Sequence, residues 1–223
     1  MKNTAAERWI GLISGLLLNA WGQGLCIDGA MGSGFWTASA INLHAWQGWH
    51  MWMILTVTGF LSALLNQFLL HHLDLPRFLG EILYAVFYGS FVSLFSDFFA
   101  WLGLGSWPVV ARAVLSCLGV VGFGIAISLY QRANLIMHPN DDTTNLLRFY
   151  YLKGNATLSQ LVDFIPPIGL IFISWYFSGQ VLGINIATIF SILFNGVIIA
   201  WADTHIWPHL KHNFTVPTQQ HAA

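Results

Sequence analysis

Two stretches of this chain carry no Asp, Glu, Lys or Arg: 45 consecutive residues between Asp28 and Asp74, and 39 between Asp163 and Asp203. A helix rises about 1.5 Å per residue, so roughly 20 apolar residues cross the hydrocarbon layer of a bilayer. Each tract exceeds one crossing. Charged residues are 8% of the whole chain, against roughly 25% in a soluble domain, which places all of it in a membrane. The net charge of -1 leaves no basic surface for nucleic acid.

Read in order, residues 9–27 follow a short basic start and form a retained first helix, since no small-residue cleavage site follows. Residues 28–43, rich in Gly, Ser, Ala and Thr, are too polar to face lipid and predict a re-entrant or interfacial segment. A second span covers 44–70, with Trp46, Trp49 and Trp52 suited to the headgroup level near its start. A third covers 78–103 and a fourth 109–130, opened by Pro108. The polar stretch 131–156 contains a short amphipathic helix expected over 142–153. Pro166 and Pro167 predict a break in the fifth span, 158–178; the sixth covers 184–207, and a polar tail, 211–223, ends the chain.

The chain also repeats itself. Residues 15–38 and 119–142 both pass from a glycine-studded apolar helix into a short polar segment, and laying Gly15 over Gly119 brings Gly22 onto Ala126 and Trp36 and Thr37 onto Asn140 and Asp141. Later in each half, Glu81, Ala85, Gly89, Ser93 and Asp97 match Thr188, Ile192, Gly196, Ala200 and Thr204 at four-residue spacing. The fold expected is all-helical: two three-helix repeats, 1–103 and 107–210, with a re-entrant or interfacial segment after the first helix of each. With a cytoplasmic N-terminus and six spans, Lys2, Arg8, Arg77, Arg132, Arg148, Lys153 and Lys211 lie inside and only Arg112 outside. Three spans per repeat is an odd number, so the second copy enters from the opposite side and the repeats are inverted, as in many secondary transporters.

The glycine-rich first helix, the turn of Ala133, Asn134 and Leu135, the step of Pro139 and Asp141, and the late helix carrying Thr188 and Gly196 resemble the bacterial YczE/YyaS/YitT-type integral membrane proteins. The likeness spans nearly the whole chain. It departs where those proteins usually carry glycines beside the Pro-x-Asp step and this chain has Ile136, Met137 and His138; the first repeat has Phe35 and Thr37 in place of the proline and aspartate. The resemblance implies a bacterial inner-membrane protein of poorly defined, transport-related function; the cytoplasmic placement of both termini comes from the basic residues. It supplies no substrate.

Ionisable groups at membrane depth are costly and face a cavity or each other. Glu81 and Asp97 bracket the third span, about 24 Å apart on a helix. They read either as gates and proton carriers or as structural ion pairs, such as Asp97 with Arg112; Asp28, Arg132, Asp163 and Asp203 carry the same two readings. The small-residue stripe through Gly89, Ser93, Gly196 and Thr204 reads first as a close-packing seam between helices, with a pathway lining as the alternative. Glu81 is the acid expected to couple solute movement to protons, at a site that also takes in Asp97, Thr188, Asp141 and Trp36. His205, His209 and His212 have the i, i+4, i+7 spacing of a metal face, but Pro208 interrupts it. Cys26 and Cys117 lie in apolar runs and form no ligand pattern. Trp36, Trp46 and Trp49 read as headgroup anchors or as a cage for a cation.

No nucleophile motif, no His-Glu-x-x-His and no cofactor fingerprint is found, so neither enzymatic activity nor a cofactor is expected. The partners expected are the bilayer and a small molecule or ion, and the composition is compatible with a homo-oligomer. The reading is a small-solute secondary transporter. A substrate-binding membrane subunit of an energy-coupled importer and a non-transporting scaffold share this composition.

Overall fold

The computed structural model describes residues 3–153 and 155–212. The first helix, α1 (Ala5–Gly29), starts at a capping box: the Thr4 hydroxyl accepts from the Glu7 amide at 3.2 Å and the Glu7 carboxylate accepts from the Thr4 amide at 2.7 Å. It is followed by α2 (Phe35–Gln47), α3 (Met51–Leu70), α4 (Leu75–Trp101), α5 (Val109–Ala133), α6 (Pro139–Leu146), α7 (Ala156–Asp163), α8 (Ile165–Ser178) and α9 (Ile186–His205). Six segments among the described residues are long and apolar enough to cross a bilayer: α1, α3, α4, α5, the α7–α8 pair over Leu158–Ser178, and α9. Large apolar side chains cover their outer faces, Phe68, Tyr176 and Val197 among them. The protein is a multi-pass, all-helical membrane protein.

The second span is shorter than the sequence predicts. Gly48 adopts the left-handed conformation (φ 71°) and caps α2, so the uncharged run divides into α2 and α3 instead of continuing from residue 44. The fifth span breaks at Phe164, where Pro166 and Pro167 open α8. The short helix expected over 142–153 begins earlier: Pro139 occupies the first turn of α6, and a single π turn over Leu147–Tyr151 follows.

At the centre α1 and α5 lie antiparallel with almost no side chain between them. A Cβ on Gly22 would stand 2.5 Å from the Gly119 carbonyl oxygen and one on Gly119 2.5 Å from that of Gly22, while one on Gly15 would stand 3.0 Å from the Ala126 carbonyl. Only glycine permits this approach. Around this pair α4 packs on α1 and α9 on α5; α2 lies against α8, and α6 against α3. The first turn of α2 sits beside the α7–α8 break, with Phe35 and Phe164 ring centroids 4.8 Å apart, and its end lies at the end of α8, where Trp46 stacks on Phe177 at 4.8 Å. The first turn of α6 sits on the middle of α3, where Asn66 donates to the Pro139 carbonyl at 2.9 Å; the π turn ends beside Leu69, whose carbonyl accepts from the Tyr151 hydroxyl at 2.6 Å.

One face of the molecule gathers the start of α1 and the ends of α5 and α9. Arg132 donates from α5 to the carbonyls of Ile206 (2.8 Å), Trp207 (2.9 Å) and Leu210 (3.1 Å) and lies 3.4 Å from Asp203. At the opposite end, where α1 stops and α9 begins, Arg112 donates to the Gly29 carbonyl at 3.4 Å. Among the described residues no ion pair joins it to Asp97, which is exposed. Gly89 meets α3, 2.9 Å from the Trp52 carbonyl by the same Cβ construction, whereas Gly196 faces outward with nothing within 4 Å. The expected equivalence of these two glycines as packing contacts therefore fails within the chain. The tail beyond residue 212 lies outside the described residues.

Candidate functional site

The first turns of α2 and α6 both line one cavity of about 170 Å³. From α2 it takes Trp36 and Thr37, and from α6 Asn140 and Asp141, the four residues that the internal repeat aligns pairwise. The N-terminus of α2 is opened by Gly34, over which a side chain would meet nothing within 4 Å. That of α6 is opened by Pro139, which suits a first turn because its missing N–H has no partner to lose. Asn19 and Gln23 of α1, Tyr88 of α4, Phe123 and Tyr130 of α5, Asp163 at the end of α7, and Thr188, Ser191 and Asn195 of α9 complete the walls.

Two acids face this space. Asp163 accepts from the Trp36 indole N–H at 2.9 Å through Oδ2, and Asp141, in the first turn of α6, accepts from the Tyr130 hydroxyl. Burial pushes the Asp141 carboxyl up to about 6 in spite of that hydrogen bond, and the neighbouring Asp142 pushes the same way. His138 caps α6, its Nδ1 accepting from the Asn140 amide at 3.3 Å, with the ring edge-on to Tyr84 and Tyr88 at 5.5 and 4.7 Å. Burial drives the imidazole down to about 3, so it is neutral at physiological pH. Among the described residues no Lys or Arg lines the cavity.

Five oxygens on these walls are buried and have no hydrogen-bond partner among the described residues: Asn19 Oδ1, Gln23 Oε1, Asn140 Oδ1, Asp163 Oδ1 and Asn195 Oδ1. Asn19 is 4% exposed, and Gln23, Asn140 and Asp163 are each 7% exposed. An unmet buried polar atom costs on the order of 1–3 kcal/mol, so five at one place favour a polar partner in the cavity, and Asp163 Oδ1 requires that partner to be a donor.

The cavity is closed at one end and rimmed by polar residues at the other. Where α1 stops, Ser33 N donates to the Gly183 carbonyl at 3.0 Å and to Thr188 Oγ1 at 3.1 Å, and Ala187 N donates to the Met31 carbonyl at 2.9 Å. Asn42 bonds both backbone groups of Leu182, at 2.6 and 2.9 Å. Gly32 (φ 105°) fits beneath Thr188, whose Oγ1 would stand 2.7 Å from an added Cβ. On the other side Gln131, Thr144, Asn145 and exposed Gln160 form the rim.

Of the residues singled out from sequence, Trp36, Asp141, Asp163 and Thr188 meet at this cavity. Glu81 belongs to a separate buried cluster. There Arg77 makes two 2.5 Å bonds to Asp142 and lies 3.6 Å from Glu81, Asn66 donates to Glu81 at 3.0 Å, and Thr143 donates to Asn66 at 2.7 Å. Through Asn66 and Asp142 this cluster fixes α6 against α3 and α4. Asp28 accepts from Ser96 at 2.8 Å, and Asp203 pairs with Arg132 and His212. Ser93 is half-buried and Thr204 exposed, and neither reaches the cavity. Trp46 is taken up by Phe177 and Trp49 is exposed, so of the three tryptophans only Trp36 lines the cavity. His205 bonds Thr204 and stacks on Trp201, His212 is paired with Asp203, and no metal-holding group of three ligands forms among the described residues.

Sequence reasoning passed over Asn19, Gln23, Tyr88, His138 and Asn195. A signal for two of them existed: the later repeat register that sets Gly89 on Gly196 also sets Tyr88 on Asn195, and both line the cavity.

Comparison with curated proteins and with solved structures gives no match. A family model described as a family of unknown function, DUF6198, matches residues 6–204, and the chain belongs to that family.

Proposed function

We propose that this protein is a secondary transporter for a small polar solute, built as two inverted three-helix repeats with α2 and α6 as re-entrant helices. The observation that carries the reading is the convergence of Trp36, Thr37, Asn140 and Asp141 on one polar cavity from the first turns of two helices too short to span. Helix pairings support the duplication: exchanging the halves turns the α1–α4 contact into α5–α9 and the α2–α8 contact into α6–α3. So does the central seam, because the repeat alignment converts the approach of Gly15 to Ala126 into that of Gly119 to Gly22. The axis relating them passes between Gly15 and Gly22 on α1, beside Asn19 at the cavity wall.

In this reading both termini and the Gln160 rim face the cytoplasm of a bacterial inner membrane, an orientation that the distribution of basic residues supports. The hydrogen-bonded contact of residues 31–33 and Asn42 with residues 182–188 then forms the outer gate, and this conformation faces inward. Asp141, which lines the cavity and whose carboxyl burial raises to about 6, takes the coupling role in place of Glu81, which holds α6 from behind.

The test uses the full chain in lipid vesicles. Flux of guanidinium, urea and acetate is followed by radiolabel, with and without a pH gradient, for the native protein and for Ser191→Phe, which fills the cavity from α9. Protein-dependent flux of at least one solute that Ser191→Phe abolishes supports the reading. Flux no different from protein-free vesicles for all three sinks it.

A further inference from the structure

The chemistry of the cavity wall selects among solutes. The five unpartnered atoms belong to side chains on α1, α6, α7 and α9, and every one is an acceptor oxygen. Two of the residues facing the cavity are carboxylic acids, and no Lys or Arg balances them. Two helix N-termini also face the space, and on their own they would favour an anion. Each is already answered by a carboxylate: Asp141 sits within the first turn of α6, and Asp163 accepts from Trp36 in the first turn of α2. The amides of Gln23, Asn140 and Asn195 can offer either end to a ligand, but Asp163 Oδ1 and Asn19 Oδ1, whose Nδ2 already donates to Tyr130, are acceptors left unmet, next to aromatic rings of Trp36, Tyr88 and Phe123 that favour a cation over an anion.

Size narrows the choice. A cavity of about 150 Å³ takes a molecule the size of benzene, so this one, at about 170 Å³, suits a molecule of comparable size. Resting on the transport reading above, we propose that the solute is a small organic cation rich in N–H donors, a guanidinium or primary ammonium. Asp163 Oδ1 is its charge partner, and the carbonyl oxygens of Asn19, Gln23 and Asn140 receive its N–H groups. A quaternary ammonium carries the charge without the donors, and a carboxylate meets the acceptors with like charge.

Guanidinium, urea and acetate are planar molecules of nearly equal size that differ in charge, and tetramethylammonium adds a cation without N–H groups. Binding of these four probes to the full-length protein in nanodiscs is measured by calorimetry, alongside the vesicle flux described above. Guanidinium should bind and move, with each of the other three weaker by roughly tenfold or more, the scale of one charged hydrogen bond. Asp163→Asn should weaken guanidinium by a similar factor, and Asn19→Leu, which removes a neutral acceptor, by less. Size-exclusion profiles of the variants report folding independently. Cavity-dependent flux of urea or acetate with none of guanidinium overturns the cation assignment and leaves the transporter standing. Guanidinium binding that is unchanged in both Asp163→Asn and Asn19→Leu also overturns it. The absence of cavity-dependent flux for every probe removes the transport reading itself.

Discussion

Replacing Gly22 with alanine tests whether the α1–α5 contact is the axis of the fold. The added Cβ would meet the Gly119 carbonyl oxygen at 2.5 Å and the Phe123 amide nitrogen at 3.1 Å, against ordinary contacts of 3.4–4 Å. Both neighbours are backbone, so relief requires the helices to move apart. Overpacking of this kind costs about 1–3 kcal/mol. Alanine also raises intrinsic helix propensity by up to about 1 kcal/mol, which obscures the effect of a single variant. Gly196→Ala supplies the control: it gains the same propensity on α9, and its Cβ meets nothing within 4 Å. The difference between the two variants isolates the clash at about 1–3 kcal/mol. Reversible unfolding of purified protein in mixed micelles, titrated with a denaturing detergent, measures it. Gly119→Ala should match Gly22→Ala, and the double variant should fall short of additivity, because both side chains push the same two backbones apart. Equal stability of Gly22→Ala and Gly196→Ala would refute the reasoning.

Three further outcomes follow from the geometry. Asp141, facing Tyr130, His138, Asp142 and Asp163, is raised from the ordinary aspartate value to about 6, so its contribution to stability is present below about pH 4 and lost as pH rises through about 6; unfolding midpoints across that window should fall for the native protein more than for Asp141→Asn, and parallel curves would contradict it. Asn42→Ala removes both bonds to Leu182, so a cysteine placed at Thr37, with Cys26 and Cys117 replaced by alanine, should react several-fold faster with an impermeant maleimide applied from outside; an unchanged rate argues against an outer gate there. Cysteines at Ser106 and Gly179 should label in intact cells and one at Lys153 only after permeabilisation, and labelling of Lys153 in intact cells would reverse the proposed orientation.

Much of the fold was legible because lipid imposes one rule on every residue facing it. Long apolar runs, together with Pro108 and the Pro166–Pro167 pair, marked five of the six spans to within a few residues. The break at Gly48 was not legible, because a glycine among apolar residues is compatible with a continuing helix until its backbone is known to take φ 71°. The site divided in the same way. The alignment of Trp36 and Thr37 with Asn140 and Asp141 pointed at the cavity, whereas the four-residue stripe from Glu81 to Asp97 did not. A stripe lists positions on one face of a helix without saying what that face meets. On α4 it meets α3 at Gly89, and on α9 its counterpart Gly196 faces outward.

Formal charge drew attention to Glu81, yet position and partners argue for Asp141 as the acid that changes charge beside the cavity. Glu81 is 1% exposed and shares Arg77 with Asp142, and Asn66 occupies its second oxygen. This carboxylate holds two helices in register and does not line the cavity. Asp141 stands one residue before Asp142 on α6, and adjacent residues of a helix project about 100° apart. One acid of the pair thus points back to Arg77 and the other forward to Tyr130 and the cavity. This arrangement lets the Arg77 cluster fix the position of α6 while Asp141 remains free to change charge. Arg77→Met should therefore displace α6 and weaken solute binding at every pH. Asp141→Asn should leave binding in place and remove its pH dependence, and a variant pair behaving the other way round would exchange the two roles.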